Sequence, residues 1–424
     1  MIQVASRRIN GTIRRCRIHD LLRDLSISEG KEERFLEVHG NMAPELPTKA
    51  RRLAITSGDI SKSISLNCSI LQLRSLLRFS YEVQMLEKPQ LTIICRAFKL
   101  LRVMYLRRVQ LSSLPDEIGY LIHLRYLCLR GRRLERLPST ITRLSNLQTL
   151  YLLATNILIL PDDICKMEQL RHLHLITEGG PPCQIRNVMH IHRLSNLQTL
   201  NLVEGGSWIE DGLEKLTNLR DLGIKGDLKM ALSHSIHKLA SLRSLRLEAS
   251  PNCSIPAFPS FSNHHHLFHM TLDGPFGRLP DVHEFPPNLT ELYLNGSQLE
   301  RDLIGTLEML PNLRILYLSW KSYIGKEMVC SVGGFPLLDD LSIYGLDDLE
   351  EWRVEEGAMP KLRCLIIHDC ERLKMLPEGL RHISTLRDLK LEEMPEEFIE
   401  RVRKDDGEDW FKIRHIPSVN IDPY

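Results

Sequence analysis

The sequence predicts an α/β solenoid in which short parallel strands line one face and short helical turns return along the other. Three observations predict it. The frame Leu-x-x-Leu-x-Leu, with occasional Ile or Met, recurs thirteen times between Leu101 and Leu391. The steps between successive frames run from 22 to 27 residues. Leu114-Pro115, Leu137-Pro138 and Leu160-Pro161 fall 23 residues apart between frames. A period in this range is that of a leucine-rich repeat. The predicted fold class is therefore a leucine-rich-repeat solenoid, a horseshoe with a parallel concave sheet.

Taken in order, residues 1–40 carry no repeat. The stretch IQVASRRINGTIRRCRI sets Asn10-Gly11 between two strand-like runs, a strong short-range hairpin signal. In IHDLLRDLSIS, residues Ile18, Leu21, Leu22 and Leu25 share one helical face. So short a piece buries little core by itself, which predicts the end of a winged-helix-like domain whose front lies outside the chain.

Repeats follow over 41–395. Two weaker units, Ala50/Leu53/Ile55 and Arg74/Leu77/Phe79, precede the thirteen clear ones. Within a unit, residues two apart such as Leu127 and Leu129 point to one side of a strand, and Cys128 between them points to the other. One repeat cannot bury its apolar side alone, so neighbours must stack. Each Leu-Pro pair precedes an apolar series such as Ile118/Leu121/Leu124. That spacing suits a short helical turn, and Pro fixes φ at its start. The Asn common in the eighth slot of such repeats is replaced by Val109, Arg132, Thr155, Glu178, Ser250, Ser297 and Cys370. Residues 176–193, with Gly179-Gly180-Pro181-Pro182, read as an inserted loop. Residues 396–424 read as a C-terminal cap.

Composition narrows the function. No run of 18 apolar residues marks a membrane span. The arginine-rich first 30 residues contain no secretory h-region, which predicts a cytoplasmic chain. Ten cysteines without a CxxC pair read as reduced thiols. The sequons at Asn10, Asn67, Asn252, Asn288 and Asn295 then read as chance. The net charge of +1 conceals a polar distribution. Residues 1–150 hold 26 basic and 13 acidic side chains, whereas 251–424 hold 18 and 30.

No catalytic constellation stands out. There is no Gly-x4-Gly-Lys-Ser/Thr phosphate loop, because Gly30-Lys31 and Gly325-Lys326 lack its other members. His264, His265, His266 and His269 have no partners at zinc-like spacing, nor do His172 and His174, so no metal site is expected. The chain reads as a binding protein and not an enzyme. Its best surface is the exposed side of the late strands, where Tyr293, Tyr317, Trp320 and Tyr344 recur in successive units. Such rings combine contact area with a polar tip. A second surface is the basic side of the early units, represented by Arg107, Arg125 and Arg130. It lacks a nucleic-acid-binding motif, so no nucleic-acid partner is expected.

The two ends of the chain carry a family resemblance. RCRIHDLLRDLSISEGKEERFLEVHG, ARRLAIT at 50–56, the repeats at 111–152 and EEFIERVRKDDGEDWFKIRHIPSV at 396–419 resemble plant intracellular nucleotide-binding leucine-rich-repeat immune receptors of the coiled-coil class. Ile18-His19-Asp20 is similar to the family's Met-His-Asp motif, with Ile in place of Met. The resemblance implies a C-terminal receptor fragment, with 1–40 the remnant of the nucleotide-binding module. It implies that the late repeats sense a pathogen effector or guarded host protein, and that the early basic repeats dock intramolecularly on the nucleotide-binding domain. It assigns His19 and Asp20 to the nucleotide side, with ADP or ATP expected only where that domain is present. The alternative is a stand-alone intracellular signalling scaffold.

Overall fold

The computed structural model describes residues 2–7, 13–40, 50–60, 72–80, 82–106, 108–131, 133–176, 183–184, 191–228, 230–256, 260–275, 280–299 and 302–422. The chain divides into two compact units, Met1–Gln3 with Cys16–Ile224, and Val4–Arg15 with Lys225–Tyr424.

In the first unit a parallel ladder runs through Glu37–His39, Arg52–Ile55, Ser75–Arg78, Val103–Leu106, Tyr126–Arg130, Thr149–Leu153, His172–Ile176 and Thr199–Glu204. In the second a ladder runs through Ser244–Ala249, His269–Asp273, Glu291–Asn295, Ile315–Ser319, Asp340–Tyr344, Cys364–His368, Asp388–Glu392 and Ser418–Asp422. The alternation predicted from the Leu frame holds in several strands, whereas Tyr126–Arg130, with Cys128 buried, and Cys364–His368 bury consecutive residues. In Glu291–Asn295 and Asp340–Tyr344, every second residue is buried. Matching leucines stand in register from strand to strand, as with Leu150, Leu127 and Leu173. The core of each unit is therefore a stack of aliphatic rungs, each unit's fold being that of a leucine-rich-repeat solenoid.

The return segments are mostly 3₁₀ turns, at Asp116–Tyr120, Ser139–Arg143, Asp162–Lys166 and Glu378–His382. Each follows a proline in extended geometry, which starts the turn without needing an N–H. Two short parallel pairs also occur in the return segments, Gln84–Leu86 with Val109–Leu111 and Glu327–Cys330 with Glu351–Val354.

Four features depart from or add to these expectations. The frame Arg74/Leu77/Phe79 is one residue out of step. Leu73, Leu76 and Arg78 are the buried residues, and Phe79 is exposed. A one-residue shift turns every side chain to the opposite face, and a charged residue at a core position had disguised the true phase. The ladder also passes both domain boundaries, because Glu37–His39 pairs before residue 41 and Ser418–Asp422 after residue 395. The helix Asp20–Glu32 has no buried residue. Leu21 and Leu25 of its apolar face are exposed. Finally, with Asn absent from the eighth slot, side-chain stitching between repeats comes from another slot. Asn146, Asn196, Asn218, Asn288 and Asn312 each donate Nδ2–H to a backbone carbonyl of the preceding repeat, at 2.8–2.9 Å. Each of these asparagines immediately precedes the first Leu of a frame.

At the N-terminus, Ile2–Arg7 and Ile13–Ile18 form a two-stranded sheet. Asn10-Gly11 between them lies outside the described residues, as does most of 176–193. At the C-terminus a buried ionic cluster fastens the last segment. Asp409 meets Lys412 at 2.8 Å and Arg401 at 3.1 Å. It also accepts the Leu376 N–H at 3.1 Å, while Lys412 Nζ donates to the Leu376 carbonyl at 2.7 Å. Burial would push the Asp409 carboxyl up, but the donors Lys412 and Arg401 outweigh it and hold it below its ordinary value.

Candidate functional site

The exposed side of the second unit's sheet carries a continuous series of rings. Residues between the buried leucines of a strand point away from the core. Tyr293 and Tyr317 hold the same register on adjacent strands. Tyr344 and His368 share the next register position, two residues further along their strands. Because the step from Tyr317 to Tyr344 is diagonal, the rings slant across the sheet. Centroid separations are 5.1 Å from His269 to Tyr293 and 5.6 Å from Tyr293 to Tyr317. They are then 4.8 Å to Tyr344 and 5.1 Å to His368. These lie within the 4.5–7 Å range of favourable ring pairs. Burial pushes the Tyr344 phenol up to about 12, with neighbouring Tyr317 adding to the rise, and burial pushes Tyr317 up as well. Both stay neutral at physiological pH, so the track offers ring faces and hydroxyls, not charge.

Carboxylates border the track. Glu291 bonds His269 at 3.0 Å. Glu248 receives Lys225 at 3.2 Å and also Arg246. Asp273 lies beside Asn295, and burial raises its pKa. Asp340 and Asp388 stand in register on the other side. Such a surface suits an extended polypeptide lying across several repeats.

Trp320, also expected in this cluster, stands apart from the stack. It follows the strand Ile315–Ser319 in a left-handed conformation, φ 44°, and is 56% exposed. This conformation is costly for a residue with a Cβ. Gly345 in the next repeat, φ 56°, leaves room for the indole, since a Cβ there would lie 2.8 Å from Trp320 Cε3. Trp320 therefore marks the strand's exit edge. Two ring members, His269 and His368, were not among the sequence-predicted site residues. Their spacing from Tyr293 and Tyr344 in neighbouring repeats was the signal that could have found them.

The early basic residues lie on and beside the strands of the first unit. Arg107 lies outside the described residues. Arg125 leads into the strand Tyr126–Arg130 and Arg130 closes it, so the strand's length separates them. His19 and Asp20 belong to the N-terminal helix. His19 Nδ1 caps it by accepting the Leu21 N–H at 3.3 Å, and Asp20 faces Arg23 at 3.4 Å. These contacts hold both side chains to the start of the helix.

The remaining histidines are scattered. His264 is buried, with Nε2 3.2 Å from the Ile236 carbonyl and its ring against Phe261. His174 stacks on Tyr151 at 4.5 Å, and His172 bonds Thr199 at 3.0 Å. The only candidate metal group among the described residues is Asp281, His283 and Glu284, in and beside an exposed capped turn. None of the nine described cysteines forms a disulfide, and Cys68 lies outside the described residues. Burial pushes Cys95, Cys330 and Cys364 up to about 12, which keeps these thiols inert. Asn288, one of the sequon residues, uses its amide on the His265 carbonyl. No helix among the described residues is long and apolar enough to cross a membrane.

Comparison with known proteins agrees with this architecture. A family model described as a leucine-rich repeat region matches residues 72–405. Probable disease resistance RPP8-like protein 4 of Arabidopsis thaliana is 35% identical over 420 residues, covering 96% of this chain and 46% of that protein. Disease susceptibility protein LOV1 of Arabidopsis thaliana is 39% identical over 421 residues, covering 96% of this chain and 45% of that protein. The chain thus spans about half the length of the curated relatives it matches. Among solved structures, the functional domain of InlJ from Listeria monocytogenes shares the fold, with a TM-score of 0.51 and 17% identity. It covers 77% of this chain and 65% of that one. From the repeat, the ladder geometry and these matches together, the chain belongs to the leucine-rich-repeat family, and its curated relatives include plant disease resistance proteins.

Proposed function

We propose that this chain is the protein-binding part of a plant immune receptor that switches through a nucleotide-binding domain. Its late repeats take the sensing role, binding a pathogen effector or a guarded host protein along the ring track. The observation that carries this reading is the unbroken series His269–Tyr293–Tyr317–Tyr344–His368 on an exposed sheet face. Ring faces of this kind supply much of the energy at protein interfaces. The early basic repeats, Arg125 and Arg130 among them, restrain the nucleotide-binding domain in the resting receptor. ADP or ATP belongs to that domain and not to this chain. The chain's place of action is the cytoplasm.

The test replaces Tyr317 and Tyr344 by Ala together in a receptor-length protein. Both side chains are only half-buried and face away from the core, so the fold is expected to survive, as checked by circular dichroism. Recognition of the cognate elicitor is expected to fall by tenfold or more, on the order of 1.4 kcal/mol or above. Wild-type recognition by the folded double variant would count against the track.

A further inference from the structure

In the first unit, the residue leading into each concave strand stacks on its counterpart in the preceding repeat. Arg74 N donates to Arg51 O at 2.7 Å, Arg102 N to Arg74 O at 2.7 Å, and Arg125 N to Arg102 O at 2.8 Å. The same bonding carries the column on through Gln148, Arg171, Gln198 and Arg220. Four arginines therefore stand on consecutive rungs, a strand spacing of about 4.8 Å apart. Among the described residues, no carboxylate pairs with Arg51, Arg74, Arg102 or Arg125. The second unit treats the same slot differently. Asp339 N donates to Arg314 O in the same column, and there the two side chains form an ion pair at 3.0 Å. The slot can thus hold a cation against an anion in the next rung, and the first four rungs of this column supply only cations.

Two further observations locate a site on this column. Arg74, Arg102, His123 and Leu100 line a cavity of about 110 Å³. Arg51, burial, and then Arg102 and Arg52 together pull the Arg74 guanidinium down from its ordinary value. Like charges are held together there, and no carboxylate among the described residues pairs with them.

We propose that this column is a binding site for an oligophosphate. One phosphate sits between Arg74 and Arg102 beside His123, and a neighbouring phosphate is reached by Arg51 or Arg125. The guanidinium fork matches two phosphate oxygens at once. The rung spacing favours closely spaced phosphates over an acidic peptide, whose same-face side chains recur about every 6.6 Å along an extended chain. The source is either a free polyphosphorylated metabolite or a lipid headgroup.

The test titrates the full chain with inositol hexakisphosphate and with tripolyphosphate by calorimetry and thermal shift. Saturable binding that weakens with added salt and raises Tm is expected. Arg74→Gln with Arg102→Gln is expected to weaken binding about a hundredfold, and the Lys pair about tenfold, since it keeps charge but loses the fork. The single exposed variant Arg102→Gln keeps the test alive should the double variant unfold. It is expected to weaken binding about tenfold. Vesicles containing phosphatidylinositol bisphosphate, compared with phosphatidylcholine alone, separate the two sources. Capture competed by hexakisphosphate supports a headgroup ligand at this site, and no capture with tight soluble binding supports a free one. The proposal is overturned by absence of binding, by binding that the Gln variants leave unchanged, or by tighter binding of oligoglutamate or single-stranded DNA.

Discussion

Arg78 occupies a slot that the neighbouring repeats give to Ile55 and Leu106. It is 1% exposed, and burial pulls its guanidinium down from its ordinary value. Its NH1 donates to the Glu82 carbonyl at 2.9 Å and reaches the Arg108 carbonyl at 3.5 Å. The cost of keeping a charge out of water is therefore set against two carbonyl contacts. Replacement of a buried charged group by an apolar one of similar size is often close to neutral, whereas truncation leaves a cavity. Arg78→Leu is expected to stay within about 2 kcal/mol of the wild type. Arg78→Ala is expected to lose about 2–5 kcal/mol, read from denaturant midpoints. Equal losses would show that the carbonyl contacts, and not packing, govern the site. Arg78 also explains where sequence reading failed. Periodicity weighs apolar residues, so a core arginine moved the frame onto Leu77 and Phe79. The thirteen later frames have no such intruder and were legible throughout. At the surface, Tyr293, Tyr317 and Tyr344 were legible because each falls between or just after core leucines. The diagonal stacking that joins them to His269 and His368 depends on register between strands, which no single repeat encodes.

A single repeat contributes one strand, one return segment and, in five cases, one Asn that ties it to the repeat before. The stitches differ in sequence context but not in geometry, since each bonds a carbonyl in the preceding return segment. These bonds are exposed, so each Asn amide competes with water for its carbonyl. Thr385 takes the same role in a late repeat, its hydroxyl donating to the Pro360 carbonyl at 3.2 Å. The stitch stands before the strand and not in the eighth slot, where the sequence has no Asn at the positions read. An eighth-slot residue sits just beyond the strand, where in this chain left-handed residues such as Arg108, Ala154 and Trp320 already turn the backbone. Asn312→Ala removes the bond to the Pro287 carbonyl and is expected to cost about 1 kcal/mol. Asn312→Asp, which has no amide donor, is expected to lose at least as much, and Asn312→Thr less if its hydroxyl reproduces the Thr385 contact. Thermal unfolding of the three variants checks the order. An unperturbed Tm for Asn312→Ala would show that solvent replaces the stitch freely.

Across the whole chain, stability in a solenoid passes mainly between adjacent repeats, so damage at an end should travel inward only as far as neighbouring contacts fail. The C-terminal cluster makes this measurable. Asp409 is buried, with Lys412 and Arg401 on its carboxylate and the Leu376 N–H as a third donor. Deleting it leaves Lys412, itself buried, without its counter-ion. Breaking a buried pair on one side costs about 3–5 kcal/mol. Asp409→Ala is therefore expected to raise amide exchange first in Ser418–Asp422, then in Asp388–Glu392, and to leave Thr149–Leu153 protected. Asp409→Asn, which still accepts the Leu376 N–H, should lose less. The acid response follows from the depressed carboxyl. Asp409 contributes its full stability above the ordinary aspartate value of about 3.9, and that contribution fades as pH falls through the lower folded value. The protection gap between wild type and Asp409→Asn in Ser418–Asp422 should hold from neutral pH to about pH 4 and close below it. Uniform loss of protection along the chain at neutral pH would instead mean that the repeats unfold as one cooperative body, and a gap that does not narrow at all as pH falls below about 4 would mean that charge on Asp409 is not what fastens the last strand.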